Sequence, residues 1–256
     1  MEWLLPFHLC LGCGRYPLRV LRGGNMKTIG LLGGMSWEST STYYRLINEG
    51  IKERLGGLHS AKICLYSIDF EEIENLQHNR DWEGAARILC KAANNIEKGG
   101  ADFLVICTNT MHKVAPEIES SINIPILHIA DATAAALVKD GIRKVGLLGT
   151  KFTMEEKFYK GRLSEKYNLE VVVPNHDDRN VVHEIIFNEL CLGKILEESR
   201  NKYIQIINKL KLEGAEAVIL GCTEIPLLVS NHDVELPLYD TMAIHAQKSV
   251  EFALEK

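Results

Sequence analysis

The sequence lacks the marks of a membrane, nucleic-acid-binding or secreted protein. Its first apolar stretch, Trp3 to Cys13, is far shorter than the roughly 20 residues a bilayer span requires, and Pro6 and His8 break it. Arg15, Arg19 and Arg22 follow that stretch where a signal peptide would carry its basic residues first. Basic residues are not in excess: 29 Lys and Arg stand against 34 Asp and Glu, a formal net charge of −5. That balance gives no footprint for nucleic acid. Seven cysteines in 256 residues are too few for a disulfide scaffold. Most lie inside apolar runs, where a free thiol behaves as a small core residue, so a reducing, cytoplasmic setting is expected. Cys10 and Cys13 form a CxxC that no second Cys or His pair answers at zinc spacing. His128, His176, His183 and His245 are scattered without ligand spacing and read as structural or surface residues. The Gly-rich GLLGGMS has neither the G-x-G-x-x-G spacing nor a Walker lysine, which argues against a nucleotide loop. No metal and no cofactor is expected.

What remains is an ordinary globular composition, 46% hydrophobic and 25% charged, with the length of one large domain or two lobes. Residues 1–25 are expected to form a poorly ordered extension ahead of Met26, where a buried strand begins at once. From there short apolar runs alternate with longer amphipathic segments. The strand candidates are 27–33, 62–68, 102–107, 124–128, 144–149, 169–173, 216–221 and 236–239, nearly all apolar as strands covered on both faces should be. Between them, Trp82, Ala85, Ala86, Leu89, Ala92, Ala93 and Ile96 recur at helical spacing, as do Tyr203, Ile206, Ile207 and Leu210. This alternation predicts an α/β fold with parallel sheets.

The chain also repeats itself. Gly30-Leu31-Leu32-Gly33 returns as Gly146-Leu147-Leu148-Gly149, Gly100-Ala101-Asp102 as Gly214-Ala215-Glu216, and Ile124-Pro125-Ile126 as Leu236-Pro237-Leu238. Three matches, in order and at nearly constant offset, predict two pseudo-symmetric lobes, each an open, mainly parallel sheet flanked by helices. Lobe 1 is drawn as 26–128 plus 240–256, and lobe 2 as 129–239. Ligands of such sheets bind beyond the carboxyl ends of the strands, here in the cleft between lobes. The repeat sets Thr108 against Cys222, Asn109 against Thr223 and Thr110 against Glu224. A hydroxyl and a thiol facing one cleft suit proton removal from one face of a carbon and proton return to the other. Expected helix starts after each pair favour a bound carboxylate and a thiol pKa tuned into the working range.

At these residues the chain resembles the PLP-independent aspartate/glutamate racemases. CTNTMH and GCTEIP, with the opening GLLGGMSWEST, carry the resemblance over 26–256, including Asp69-Phe70 and the segment Ile73 to Gln77. It implies cofactor-free inversion of aspartate or glutamate by a homodimer. It makes Cys222 one catalytic group and assigns substrate binding to Asn109, Thr110, Thr223 and Glu224. Met35 would line the cleft, and Gln77, in the loop region after the second strand, would reach the distal carboxylate. The chain departs from the family where Thr108 replaces the first cysteine, so Thr108 or a water it holds takes that role. Cys107 stands one residue too early and should face away, because adjacent strand residues point to opposite sides. The resemblance gives Cys222 the L-enantiomer, so a Cys222 thiolate acting on the L-form should be the faster partner.

Other readings stand beside this one. His112, one turn after Thr108, either tunes it or is structural. Glu189 either reaches the distal end of a substrate or, as its helix position favours, faces solvent. Trp37 and Trp82 are expected to pack. A single-cysteine decarboxylase or isomerase of small dicarboxylates would use the same scaffold with Cys222 alone. A non-catalytic sensor of acidic amino acids would need no thiol.

Overall fold

The structure is a computed structural model that describes residues 26–255. The 1–25 extension and its CxxC lie outside the described residues. In chain order the elements are β1 (Ile29–Gly33), α1 (Trp37–Leu55), β2 (Ile63–Ser67), α2 (Phe70–His78), α3 (Trp82–Lys98), β3 (Phe103–Ile106), α4 (Ala115–Ser121) and α5 (Ile129–Lys139). They continue with β4 (Lys144–Gly149), α6 (Lys151–Glu155), α7 (Lys157–Tyr167), β5 (Glu170–Val172), α8 (His176–Asn188), α9 (Glu197–Leu212), β6 (Ala217–Gly221), β7 (Leu238–Asp240) and α10 (Thr241–Leu254). Two sheets result, ordered β2-β1-β3 and β5-β4-β6-β7, with every pairing parallel.

The central strands β1 and β4 are buried apart from the first residue of β4, which explains their near-continuous apolar sequence. Helices cover them with the stripes read from the sequence. Ala85, Ala86, Leu89, Ala92, Ala93 and Ile96 of α3 pack on one face of the first sheet. Tyr43, Ile47 and Ile51 of α1, with Met242, Ala246 and Val250 of α10, cover the other. In the second sheet Tyr203, Ile206, Ile207 and Leu210 of α9 pack on β4 and β6.

The repeat has a physical basis in how each sheet begins. Gly100 and Gly214 both adopt φ near +89°, a left-handed turn that side chains rarely enter. Each turn delivers an acid to a neighbouring backbone. Asp102 accepts from the Thr28 N–H at 2.6 Å, and Glu216 accepts from the Arg143 N–H at 2.6 Å. The Pro segments match as well: the Leu104 N–H donates to the Pro125 carbonyl and the Val218 N–H to the Pro237 carbonyl, both at 2.9 Å.

One expected strand is not formed. The 124–128 segment makes only an isolated bridge, Leu104 to Ile126, before His128 caps α5. Its counterpart runs on as β7 because Leu238, Tyr239 and Asp240 all pair with β6. Trp37 is also corrected: expected to pack, it is 67% exposed on α1, whereas Trp82 does pack, edge-on against Phe152. Among the described residues no helix is long and apolar enough to cross a membrane.

Candidate active site

β3, at the edge of the first sheet, and β6, inside the second, open at their carboxyl ends toward a common cavity. The residues that follow them, Thr108 to Met111 and Cys222 to Glu224, line it from two sides. Met35 reaches it from the loop after β1, and Gln77 from α2, a helix where the sequence suggested a loop region. All eight residues singled out from the sequence therefore border one space. Cys107 does not. It is fully buried in the core with Tyr43 and Met242, on the far side of the strand.

Short turns, not full helices, follow the two strands. Thr110–Val114 and Ile225–Leu227 are single 3-10 segments, so the helix starts expected to hold a carboxylate are reduced to loop backbone. The Thr108 loop is fastened from behind. The buried His112 donates through Nδ1 to the Thr108 carbonyl at 2.8 Å, while its Nε2 accepts from the Ile129 N–H at 3.2 Å. Burial and the nearby His128 and His245 push its pKa well below the ordinary value, so it stays neutral. Both nitrogens are committed, and its bond goes to the main chain of Thr108; His112 supports the wall. His245, held between Tyr43 and the Leu127 carbonyl, and His128 are likewise scaffold.

Asn109 is tied to Thr241. The Thr241 hydroxyl donates to the Leu220 carbonyl and so accepts from Asn109 Nδ2 at 3.1 Å. The Oδ1 of Asn109 is left buried without a partner, an acceptor in want of a donor. Thr110 meets Thr150 at 3.3 Å between hydroxyls.

The second wall is denser. Cys222 Sγ donates to Glu224 Oε2 at 2.9 Å, and the Thr223 hydroxyl donates to the same oxygen at 2.9 Å. Ser36 and Ser39 reach Oε1 at 3.4 and 3.3 Å, and Ser39 lies 2.6 Å from the Thr223 hydroxyl. Burial, then the Glu224 carboxylate and Cys191, push the Cys222 thiol well above its ordinary pKa. In the ligand-free protein the nearest charge is negative, and it favours the protonated sulfur.

Sequence reasoning missed Ser36, Phe70, Thr150, Ile186, Phe187 and Cys191, all at the cavity. Thr150 was within reach, since it follows β4 where Gly34 follows β1. Cys191, on the short turn Leu190–Leu192, gave no periodic signal. Glu189 does not reach the cavity but accepts from Ser199 at 2.5 Å. Among the described residues no group of three or more His, Cys, Asp or Glu side chains is placed to hold a metal ion.

Two parallel sheets whose strand ends present a hydroxyl and a thiol to one cavity define a two-lobed α/β protein with a site between its lobes. The sequence profile of the Asp/Glu/hydantoin racemase family matches residues 32–249, and the chain belongs to that family, whose relatives here are isomerases. It is 23% identical over 231 residues to the broad specificity amino-acid racemase RacX of Bacillus subtilis, covering 87% of this chain and 96% of that protein. A Yersinia pestis structure proposed to be an Asp/Glu racemase is 55% identical, with TM-score 0.86 over 90% of this chain and all of that one. An aspartate racemase homologue from Pyrococcus horikoshii is 39% identical, with TM-score 0.78 and the same coverage.

Proposed function

We propose that the protein racemises aspartate, glutamate or both without a cofactor, using Cys222 and Thr108 on opposite faces of the α-carbon. The observation that carries this reading is that both side chains border one cavity, each from the end of a different sheet. Cys222 takes the α-proton of the L-enantiomer. Thr108, whose hydroxyl is a feeble base, delivers a proton to the other face directly or through a water it holds. Asn109, Thr110, Thr223 and Glu224 hold the amino acid, with Met35 against it. Gln77 and Phe187 border both this cavity and an adjoining cleft that contains Arg80 and Lys151. Those two cations have no carboxylate partner among the described residues, while Glu155 and Glu156 beside them are paired with Arg179 and Lys113. An acidic side chain directed past Gln77 would meet these two cations against one further carboxylate, Glu74.

A preference for the L-enantiomer has a strict form. Racemisation has an equilibrium constant of unity, so kcat/KM must be equal in the two directions. The weakness of Thr108 therefore shows as a lower kcat for the D-form with a proportionally lower KM. We also propose a cytoplasmic homodimer. Exposed Leu65 and Tyr66 on edge strand β2, and exposed Trp37 and Tyr44 on α1, offer apolar surface that a second copy would cover.

The test is incubation with L- and D-aspartate and L- and D-glutamate in deuterated water. Deuterium at the α-carbon together with loss of optical rotation supports racemisation. Binding without exchange would leave a sensor, and carbon dioxide release from substituted malonates a decarboxylase.

A further inference from the structure

Reactive cysteines are normally found in electropositive surroundings, because a nearby cation or helix N-terminus stabilises the thiolate. Cys222 is in the opposite setting. Glu224 touches its sulfur at 2.9 Å. The other titratable group acting on it is Cys191 on the Leu190–Leu192 turn, and Cys222 in turn acts on Tyr203 of α9. Every one is neutral or negative. None of the described residues lining the cavity is Lys, Arg or His; Arg80 and Lys151 belong to the adjoining cleft. A buried base next to a carboxylate, with no cation of the protein's own, has to be activated by something that arrives.

One acceptor at the cavity suits a positive donor. Glu224 carries a carboxylate that gathers hydroxyls from Ser36, Ser39 and Thr223. An α-ammonium at Glu224 supplies N–H donors and the missing positive charge. Resting on the racemase reading above, we propose that Cys222 waits as a thiol bonded to Glu224 and becomes the base only when the substrate's α-ammonium takes over that carboxylate. Glu224 is then a positioning residue that couples amine recognition to activation of the sulfur.

The proton inventory closes. On binding, the ammonium pairs with Glu224 and the Cys222 proton leaves to solvent, so the ammonium's positive charge offsets that of the new thiolate, the substrate's carboxylates being additional. The thiolate takes the α-proton and the C–H electron pair delocalises into the substrate carboxylate. A water held at Thr108 gives its proton to the other face of the carbon, and the hydroxide left behind takes a proton from solvent. Cys222 ends as a thiol. The device also sets a substrate class. An α-hydroxy acid of the same shape has no ammonium and leaves the sulfur protonated, so the site selects α-amino acids by activation as well as by fit.

The experiment follows the ultraviolet thiolate band of the wild-type chain minus that of Cys222→Ser across pH. It is repeated with α-methylglutamate, which carries an ammonium but no removable α-proton, and with 2-hydroxyglutarate, which carries no ammonium. Calorimetry checks that each binds. The expected result is a fall in the Cys222 midpoint of about one pH unit or more, a tenfold gain in thiolate, with the amino acid alone. Glu224→Gln should lower the midpoint without ligand and abolish the response. Equal shifts from both ligands, or no shift from bound α-methylglutamate, would overturn the proposal while α-deuterium exchange into L-glutamate still upheld the racemase reading. Absence of α-deuterium exchange with both aspartate and glutamate would remove both readings.

Discussion

The two walls of the cavity were built from one pattern and then diverged. Behind the first, the loop after β3 is fixed by a buried, neutral imidazole cluster, and its leading side chain is a hydroxyl. Behind the second, the loop after β6 is fixed by hydroxyls that converge on Glu224, and its leading side chain is a thiol bonded to that carboxylate. The backbone scaffolds correspond down to the acid that anchors each sheet. The chemistry does not. A pseudo-symmetric frame brings a hydroxyl and a thiol to one cavity from two sheets, but nothing in the symmetry requires them to be equally strong.

The largest effect should come from the stronger wall. Cys222→Ser keeps the shape and removes the polarisable base, so α-deuterium exchange into the L-enantiomer should fall by about a thousandfold or more. A variant retaining a tenth of wild-type exchange would move the base elsewhere. The next largest effect tests the weaker wall. Thr108→Cys should raise kcat with the D-enantiomer by about tenfold or more and bring the two kcat values together, with kcat/KM still equal in both directions. Progress curves from each pure enantiomer measure this; an unchanged D-direction kcat would show that Thr108 does not stand on the donor side.

Much of this arrangement was legible because buried parallel strands leave a plain signature. GLLG, written twice, marks the centre of each sheet, and the residues after the neighbouring strands β3 and β6 sit at the cleft. Cys107 could be set aside by strand alternation alone. Protonation was not legible, because it depends on contacts between distant segments. Ser39 and Glu224 lie 185 residues apart in the chain, and the sequence does not show that burial and the carboxylate two residues on would outweigh any help from backbone N–H groups. Cys191 was hidden for a similar reason: it sits on a single irregular turn, where no periodicity exists to read. The 124–128 segment bonds to β3 only on either side of Leu104, to the Pro125 carbonyl and from the Leu127 N–H, too little for a continuous strand.

Acid should separate the walls next. Burial lowers His128 to about 3 and His245 to about 4, and holds His112 well below its usual value. In the unfolded chain each titrates near 6.5, so the unfolded state binds more protons between that pH and the folded values. Stability from these groups is complete above about pH 6.5 and is lost as pH falls toward about 4, at up to about 1.4 kcal/mol per pH unit for each. Denaturant unfolding from pH 7.5 to 5 reads the total. Hydrogen exchange reads the location, and the Thr108–Val114 segment should lose protection before Cys222–Leu227. Simultaneous loss would mean that the imidazole cluster does not govern the first wall.

The smallest effect expected is the one the two halves share. Asp102→Asn and Glu216→Gln each weaken an exposed side chain's bonds to backbone N–H groups at the start of a central strand, and Glu216 serves two of them, Arg143 and Lys144. Because solvent competes for these exposed bonds, each change should lower Tm by only a few degrees, with little effect on α-exchange, since the anchors lie at the strand starts, away from the carboxyl ends. Similar losses from the two variants would fit a common frame. A large loss from one alone would mean that one sheet depends on its anchor more than the other, and that the divergence seen at the cavity extends into the scaffold.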